Sequence, residues 1–247
     1  MVDERFLRTK LLLGEAGLEK LQKATVMIIG LGAVGGYALE ALARSGIGRL
    51  ILVDFDVFDL TNINRQILAT TATVGRKKTE VAKERVSDIN PACRVETRDL
   101  FVNVETLPRI LQEKVDFVVD AIDALNPKCC LIEALHNAQI PFISSMGAAL
   151  KSDPSCIHYG KLSATKNCGL SKFIRKRLKK RGLDIGKIWC VSSDEQVDLP
   201  ETAIICNEDE ENPNGRKRNT LGSLPTITAI FGLTIANQVI KELIKES

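Results

Sequence analysis

An apolar run that leads directly into a glycine-rich turn constrains the fold of this chain more than any other stretch. Val26 to Ile29 are apolar, and Gly30, Gly32 and Gly35 follow in the spacing G-x-G-x-x-G. Apolar residues that include β-branched ones predict a fully buried strand. Glycines at this spacing between a strand and a helix let the backbone approach a phosphate at the positive end of the helix dipole. We therefore predict a nucleotide site at this turn.

A second apolar segment, residues 49–53, ends at an acidic residue that suits the same site. Asp54 follows Gly30 by 24 residues, close to the spacing at which a carboxylate binds the ribose of a nucleotide. Strand and helix patterns alternate as far as residue 150, which predicts an α/β, Rossmann-like, doubly wound and mainly parallel sheet. Ligands of such sheets bind at the carboxyl ends of the strands, so we expect Gly30, Asp54 and Asp123 to line one crevice.

The second half of the chain has shorter and more polar segments. We predict that residues 1–150 hold N-terminal helices and the nucleotide-binding core, and that residues 151–247 are a smaller C-terminal extension of the same compact domain. This extension contains a basic helix at 169–182, a long loop at 195–222 and a closing helix at 222–246. The closing helix is largely apolar but includes threonine and amide side chains, which favours a buried helix over a membrane span.

Cysteine content and charge narrow the partners and the compartment. The seven cysteines include no C-x-x-C pair, so zinc-ligand spacing is absent, and a chain of 247 residues does not need a disulfide framework. The charged N-terminal segment lacks the apolar core of a secretion signal, which predicts a cytoplasmic protein. Because the net charge is only +3, a nucleic-acid partner must be inferred from local clusters of cations.

Hydrogen-bond donors are concentrated between residues 60 and 80. A dehydrogenase would need the glycine turn and Asp54 but little from this region, whereas a triphosphate needs several donors and cations. Asp123 adds a carboxylate at a strand end, where it is placed to hold Mg²⁺ against phosphate oxygens. The donors that favour a triphosphate are Asn62, Asn64, Arg65, Gln66 and Lys78.

These motifs together resemble the nucleotide site of the E1-like adenylating enzymes, the superfamily that includes ubiquitin activators and the bacterial ThiF and MoeB proteins. The matching motifs occur in the family's order within the first 150 residues. They are Gly30–Gly35, Asp54–Asp56, Asn62–Gln66, Gly75–Lys78 and Asp120–Asp123. The resemblance implies the same fold and the ATP-dependent adenylation of a carboxylate, with ATP and Mg²⁺ as cofactors.

The resemblance also implies roles for individual residues. Asp54 would bind the ribose and Asp123 the Mg²⁺ ion, and Arg8 matches an arginine that related homodimers insert into the partner's ATP site. Because a carboxylate is already ionised at neutral pH, no general base is needed. The implied catalytic residues are Arg65, Lys78, Asp123 and Arg8, and Asn62, Arg65 and Lys78 would contact the phosphates. The implied nucleotide-binding residues are Gly30, Gly32, Gly35, Asp54, Asp56, Asn62, Arg65, Gln66, Lys78 and Asp123.

Three segments of the second half narrow the resemblance within the superfamily. Residues 161–165, 170–181 and 191–195 look like those of the tRNA threonylcarbamoyladenosine dehydratases, although Cys168-Gly169 replaces the usual Asp-Pro. The two C-x-x-C zinc pairs common in ThiF- and MoeB-like proteins are absent from the sequence. This resemblance implies adenylation of the carboxylate of a threonylcarbamoyl group on a tRNA adenosine, followed by loss of water as the product closes into a ring. It also brings a cysteine desulfurase or sulfur-acceptor system into consideration as a partner.

A cluster of cations offers a surface for the tRNA. Seven of the ten residues from Lys172 to Arg181 are Lys or Arg. Like charges one turn apart destabilise a helix, and such a cost indicates a polyanion partner. We expect an apolar stripe of Leu170, Phe173, Ile174 and Leu178 to dock the helix on the domain and the cations to face outward. The expected tRNA-binding residues are Arg175, Lys176, Lys179 and Lys180.

Two other functions are compatible with the sequence. An activator of a ubiquitin-like sulfur carrier would adenylate a C-terminal Gly-Gly and would use a cysteine. Cys206 lies in the predicted loop, but it has no basic neighbour in the sequence, which favours an unreactive thiol. A dinucleotide-binding reductase or regulatory module would bind NAD rather than ATP. We assign Asp120 a structural role and place Asp123 in the site.

Overall fold

The computed structural model describes residues 3–197, 204–211 and 217–245. Seven α-helices lie in the described part: α1 (Leu7–Lys23), α2 (Gly35–Arg44), α3 (Lys78–Ile89), α4 (Leu107–Leu111), α5 (Leu125–Asn137), α6 (Gly169–Lys180) and α7 (Pro225–Ile244). The strands are β1 (Thr25–Ile29), β2 (Arg49–Val53), β3 (Arg94–Arg98), β4 (Phe117–Asp120), β5 (Phe142–Ser145), β6 (Ile157–Lys161), β7 (Trp189–Ser193), β8 (Ile204–Glu211) and β9 (Lys217–Leu221).

Seven strands form one sheet in the order β3-β2-β1-β4-β5-β7-β6. All neighbouring pairs from β3 to β7 are parallel, and β6 joins the edge antiparallel to β7. This arrangement confirms the predicted doubly wound, mainly parallel α/β sheet. The strand order reverses between β1 and β4, and the crevice at such a switch point is where open α/β sheets bind ligands.

Both faces of the sheet are covered, which explains why the central strands are apolar without alternation. Val26 and Ile28 pack into a core shared with α2 and α7, whereas Met27 and Ile29 pack into a second core with α4 and α5. A third core lies between α5 and α6. The sheet contains strands from both sides of residue 150.

Helix α7 is long and apolar enough to cross a membrane by length and composition alone. Its Ile227, Phe231 and Ile235 are nevertheless fully buried in the core of the protein. At Gly232 an added Cβ would lie 2.4 Å from the carbonyl oxygen of Val34, so the α7 backbone crosses directly over the start of α2. This packing matches the expected buried helix.

The predicted loop at 195–222 is wrong at residues 204–211 and 217–221, which form β8 and β9. Strands β8 and β9 pair antiparallel, with Ile204 opposite Leu221 and Ile205 opposite Thr220. The sequence after Ile204-Ile205 is mostly charged and does not have the pattern of a strand. Pairing with β9 stabilises β8 nevertheless. Residues 198–203 and 212–216 of the prediction lie outside the described residues. Helix α3 begins at Lys78 and not earlier, because Gly75 has φ +82° and Lys77 is extended.

Candidate nucleotide site

The glycine turn after β1 is shaped by close backbone contacts. An added Cβ at Gly30, which has φ +92°, would lie 2.8 Å from the carbonyl oxygen of Ala121. At Gly35 it would lie 1.8 Å from the oxygen of Gly30, so packing alone requires these two glycines. Gly32 differs, because its nearest neighbour would be the Gln66 side chain at 3.9 Å. A side chain at Gly32 would therefore fill open space beside the turn, which is the space a phosphate needs.

Asp54 joins the end of β2 to this turn. Its Oδ2 accepts a hydrogen bond from the Leu31 N–H at 2.6 Å, and its Oδ1 accepts one from the Asp56 N–H at 2.9 Å. Burial raises the pKa of this carboxyl, although the nearby charge of Lys78 and the two backbone hydrogen bonds oppose that shift. Each carboxylate oxygen can accept a further hydrogen bond, so Asp54 can still bind a hydrogen-bond donor of a ligand.

Lys78 reaches the site from the first turn of α3. Its side chain is almost fully buried, with Nζ 3.1 Å from Oδ2 of Asp56 and 5.9 Å from the centre of the Phe58 ring. Backbone hydrogen bonds hold it there: Lys78 N–H donates to the Asp56 carbonyl, and Phe58 N–H donates to the Arg76 carbonyl. An ammonium group has three donors, so Lys78 can bind Asp56 and an anion together.

The neighbouring cations are directed elsewhere. Arg76 pairs with Glu84 at 2.5 Å, and Lys77 pairs with Asp99 at 2.8 Å, both on the surface. Within the motif Gly75–Lys78, Lys78 is therefore the cation that lies at Asp56 and close to Asp54.

The segment from Asp59 to Gln66 is held by its own side chains. Oδ1 of Asn62 accepts a hydrogen bond from the Asp59 N–H in a capping box, which leaves the Nδ2 amide to donate elsewhere. Nη1 of Arg65 donates to the Thr61 carbonyl at 2.9 Å and to Oδ1 of Asn64 at 2.8 Å. These bonds fix the guanidinium group while its other N–H donors remain for a ligand.

Gln66 carries a polar atom that lacks a partner. Its side chain is buried beside Gly32, and Oε1 has no hydrogen-bond partner among the described residues. A buried acceptor left unpaired is costly, and a bound ligand or water is the usual explanation. The space beside the glycine turn therefore contains both an open volume and an unsatisfied acceptor.

A buried ion pair supports the turn after β4. Lys128 and Asp120 are both inaccessible to solvent, and Nζ of Lys128 lies 2.7 Å from Oδ2 of Asp120. Oγ of Ser144 donates to the same oxygen at 2.6 Å, and the Ile122 N–H donates to Oδ1 at 3.1 Å. These bonds fix the backbone between Asp120 and Asp123, which agrees with the structural role assigned to Asp120. Asp123 itself is exposed at the end of this turn.

Lys128 was not identified from the sequence. The available signal was a lysine directly before the apolar run from Cys129 to Ile132, eight residues after Asp120. A lysine at an otherwise buried helix position requires a carboxylate partner, and the end of β4 provided one.

The turns after β1 and β4 meet at the switch point of the sheet. The Ala121 N–H donates to the Ile29 carbonyl at 2.8 Å, and Ala121 also contacts Gly30. The structure thus brings together Gly30, Asp54 and the Asp123 turn, as expected. Proteins usually bind Mg²⁺ with one or two carboxylates, and the phosphates of the substrate supply further oxygens. The exposed carboxylate of Asp123 fits that pattern. The described residues contain no cluster of three or more His, Cys, Asp or Glu side chains.

Arg8 lies away from the site of its own chain. It is exposed on α1, two residues after buried Phe6, which packs at Gly46 just beyond the C-terminal end of α2. Helix α2 begins at the glycine turn and spans ten residues, about 15 Å. Arg8 is therefore near the opposite end of α2 from the nucleotide site.

The basic helix α6 exposes only part of the predicted cation surface. Lys176, Lys179 and Lys180 are exposed, as predicted. Arg175 is a correction, because its Nη1 donates to the Thr165 carbonyl at 2.7 Å and faces the domain. Arg175 therefore anchors the helix to the segment before it, because its guanidinium group donates to a carbonyl of that segment.

The apolar stripe of α6 also differs from the prediction. Ile174 and Leu178 are fully buried, but Phe173 is 57% exposed. Leu170 packs against the same core, so three of the four predicted residues dock this helix. Phe173 is thus a large apolar side chain on the cationic surface.

Comparisons with known proteins agree with this geometry. The model of the ThiF family matches residues 5–247. The chain is similar to tRNA threonylcarbamoyladenosine dehydratase of Bacillus subtilis, at 36% identity over 98% of this chain and 95% of that protein. It is also similar to the Escherichia coli protein of the same name, at 34% identity over 99% of this chain and 95% of that protein. A crystal structure of the E. coli dehydratase TcdA in complex with ATP covers 97% of this chain and 93% of that chain, with a TM-score of 0.86 and 34% identity.

Proposed function

The chain belongs to the ThiF family, and we propose that it is an ATP-dependent tRNA threonylcarbamoyladenosine dehydratase. In this proposal it adenylates the carboxylate of threonylcarbamoyladenosine in tRNA and promotes cyclisation of the activated group. The observation that carries the adenylation chemistry is the buried amine of Lys78 beside Asp54 and the glycine turn. Similarity to dehydratases along nearly the whole chain supports the tRNA substrate.

ATP would lie across the switch point of the sheet. Asp54 supplies acceptors to the ribose hydroxyls, and the open space at Gly32 admits the phosphates. Lys78, the remaining donors of Arg65 and the Nδ2 amide of Asn62 supply positive charge and hydrogen bonds to the phosphates. Gln66, whose Oε1 is unpaired and buried, is placed to accept a hydrogen bond from the nucleotide or a water bound with it.

Mg²⁺ would bind the phosphate oxygens and the carboxylate of Asp123. When bound, it neutralises charge on the phosphates and polarises them toward attack. The buried pair of Lys128 and Asp120 holds the turn that carries Asp123, so the carboxylate is presented from a fixed backbone.

The chemistry needs positioned charge more than it needs a base. A carboxylate oxygen of the substrate forms a bond to the α-phosphorus of ATP while the bond to pyrophosphate breaks. Negative charge on the phosphate oxygens is stabilised by Lys78 and Arg65, which are held in place before reaction. A nitrogen of the same modification then attacks the activated carbonyl and expels AMP. The lost water thus leaves as an oxygen in AMP and a proton.

A homodimer would complete the site with Arg8. Leu7, Leu11 and Leu12 are between 50% and 84% exposed around Arg8 on α1. Exposed leucines close together on one helix are typical of a surface that another subunit covers. Because Arg8 lies about the length of α2 from its own glycine turn, it is suited to serve the site of the partner subunit.

The tRNA would bind along α6. Lys176, Lys179 and Lys180 are exposed and present cations to a phosphate backbone. Arg177 contacts Asn126, three residues after Asp123, so α6 borders the turn that carries the proposed Mg²⁺ ligand. A tRNA on this helix would place a modified nucleoside close to ATP. Cytoplasmic location and a sulfur-acceptor partner remain predictions.

The test measures release of pyrophosphate and AMP from ATP. Wild-type protein is mixed with tRNA that carries threonylcarbamoyladenosine, with tRNA that lacks it, or with a carrier protein that ends in Gly-Gly. We expect release only with the modified tRNA, together with loss of one water from the nucleoside by mass spectrometry. Lys78→Ala should abolish release, and Lys77→Ala is the matched control because Lys77 pairs with Asp99 on the surface. Release with the carrier protein alone would contradict the proposal.

A further inference from the structure

Phe173 is an exposed aromatic residue without an evident structural purpose. It is 57% exposed on α6. Phe55 is exposed to a similar degree, but its ring packs edge-on against Phe101 with the centroids 4.9 Å apart. Among the described residues, no ring contact of this kind involves Phe173. The face of the ring is therefore open to a ligand that can stack on it.

The pairing of α5 with α6 places Phe173 beside the nucleotide site. Arg177 contacts Asn126, and Arg181 contacts Glu133 and lies 4.0 Å from Sγ of Cys130. The partners advance along both helices in the same direction, so the two helices run side by side in parallel. Phe173 lies one turn before Arg177 on α6, and Asn126 lies in the first turn of α5, which begins at Leu125 just after the turn from Asp120 to Asp123. Phe173 is thus level with the turn that ends at Asp123.

Two exposed lysines lie on the same helix face as this ring. Arg175, Arg177 and Arg181 are engaged by Thr165, Asn126 and Glu133. Lys176 and Lys180 follow Phe173 at i+3 and i+7, on the same face of the helix. An aromatic ring next to exposed lysines is the arrangement with which proteins bind unpaired nucleotides, since bases stack on the ring and lysines bind the phosphates.

We propose that the ring of Phe173 stacks on an unpaired nucleobase of the tRNA and so holds the modified nucleoside at the Asp123 turn. This inference rests on the proposed function. It adds a stacking contact with a base to the lysine–phosphate contacts already proposed for α6. Stacking has little dependence on salt, whereas each lysine–phosphate contact adds to the salt dependence. The two kinds of contact therefore have different signatures in one binding assay.

The experiment measures the Kd for modified tRNA at several salt concentrations. Phe173→Ala should raise Kd about five-fold or more at every salt concentration, with the slope of log Kd against log salt unchanged. Phe173→Tyr should restore binding, whereas Phe173→Leu, which keeps apolar area but not the ring, should not. Lys176→Ala with Lys180→Ala should instead flatten the slope by about 0.7 for each phosphate that the variant no longer neutralises.

Several results would overturn the inference. Unchanged tRNA affinity in Phe173→Ala would do so, as would full restoration by Phe173→Leu, because packing alone would then explain the residue. A change from dimer to monomer in Phe173→Ala, measured by sedimentation, would assign the ring to a subunit contact instead. Failure of the proposed function is distinguishable, because wild-type protein would then release no AMP with modified tRNA.

Discussion

Removal of the buried ammonium of Lys128 should destabilise the protein strongly. In Lys128→Met the side chain keeps its length, but the Asp120 carboxylate loses a partner 2.7 Å away and keeps only the Ser144 hydroxyl and the Ile122 N–H. Both ionic groups are inaccessible to solvent, so water cannot replace the lost partner. Breaking a buried pair from one side costs about 3–5 kcal/mol.

A double variant separates this cost from a general packing defect. Asp120→Asn combined with Lys128→Met removes both charges and keeps an oxygen for the Ile122 N–H. Because no charge is left unpaired, the double variant should be more stable than Lys128→Met alone, by about 1 kcal/mol or more. Lys83→Met is the matched control, since Lys83 is exposed on α3 and its replacement should change stability by less than about 0.5 kcal/mol.

Urea unfolding followed by circular dichroism measures these differences. Protein concentration is held fixed, because a dimer is stabilised by mass action. If Lys128→Met lowers the free energy of unfolding by less than about 1 kcal/mol, instead of the expected loss of about 3–5 kcal/mol, water reaches the pair and the reasoning is wrong. Strictly additive effects in the double variant would refute the argument that the two charges are coupled.

Three further predictions concern the site and its surroundings. Asp123→Asn should lower turnover by orders of magnitude with an unchanged melting temperature, since it removes the proposed Mg²⁺ ligand from an exposed position; near-normal turnover would exclude Asp123. Mixing Arg8→Ala with Lys78→Ala subunits should recover activity, because one site of a mixed dimer is intact; no recovery after verified subunit exchange would contradict a role in trans. Burial opposes ionisation of Glu40, but the guanidinium groups of Arg85 and Arg44 outweigh it and hold its pKa below the ordinary value. The Glu40 carboxylate therefore contributes to the free energy of unfolding above its unfolded-state pKa of about 4.3, and this contribution is lost as pH falls below that value. Glu40→Gln should accordingly make the free energy of unfolding less dependent on pH in the acid range.

The sheet was predictable because its signals are local. The uninterrupted apolar run of Val26–Ile29 indicates a strand that is buried on both faces. The structure places alternate residues of β1 in two different cores. The motif Gly30–Gly35 reports a turn whose backbone contacts leave no room for side chains at two of its glycines. Both features are encoded by residues that are adjacent in the sequence, so the local sequence pattern is enough to predict them.

The remaining features depend on partners far along the chain. Lys128 is paired by Asp120 and Ser144, which lie on two neighbouring strands, so its complete set of partners follows only from the strand order. Arg175 belongs to a run of cations but is directed inward by Thr165. The hairpin of β8 and β9 is stabilised by the pairing of its strands, and the charged sequence of β8 gives no sign of that pairing. None of these is visible as a periodicity.

The fate of the carboxylate oxygen tests the central claim most directly. Threonylcarbamoyladenosine in tRNA is labelled in its carboxylate with a heavy oxygen isotope and is incubated with the protein, ATP and Mg²⁺. Adenylation followed by cyclisation predicts one labelled oxygen in the released AMP, because the bond to the α-phosphorus is formed by that oxygen. Label found in inorganic phosphate or water, with unlabelled AMP, would contradict activation at the α-phosphate.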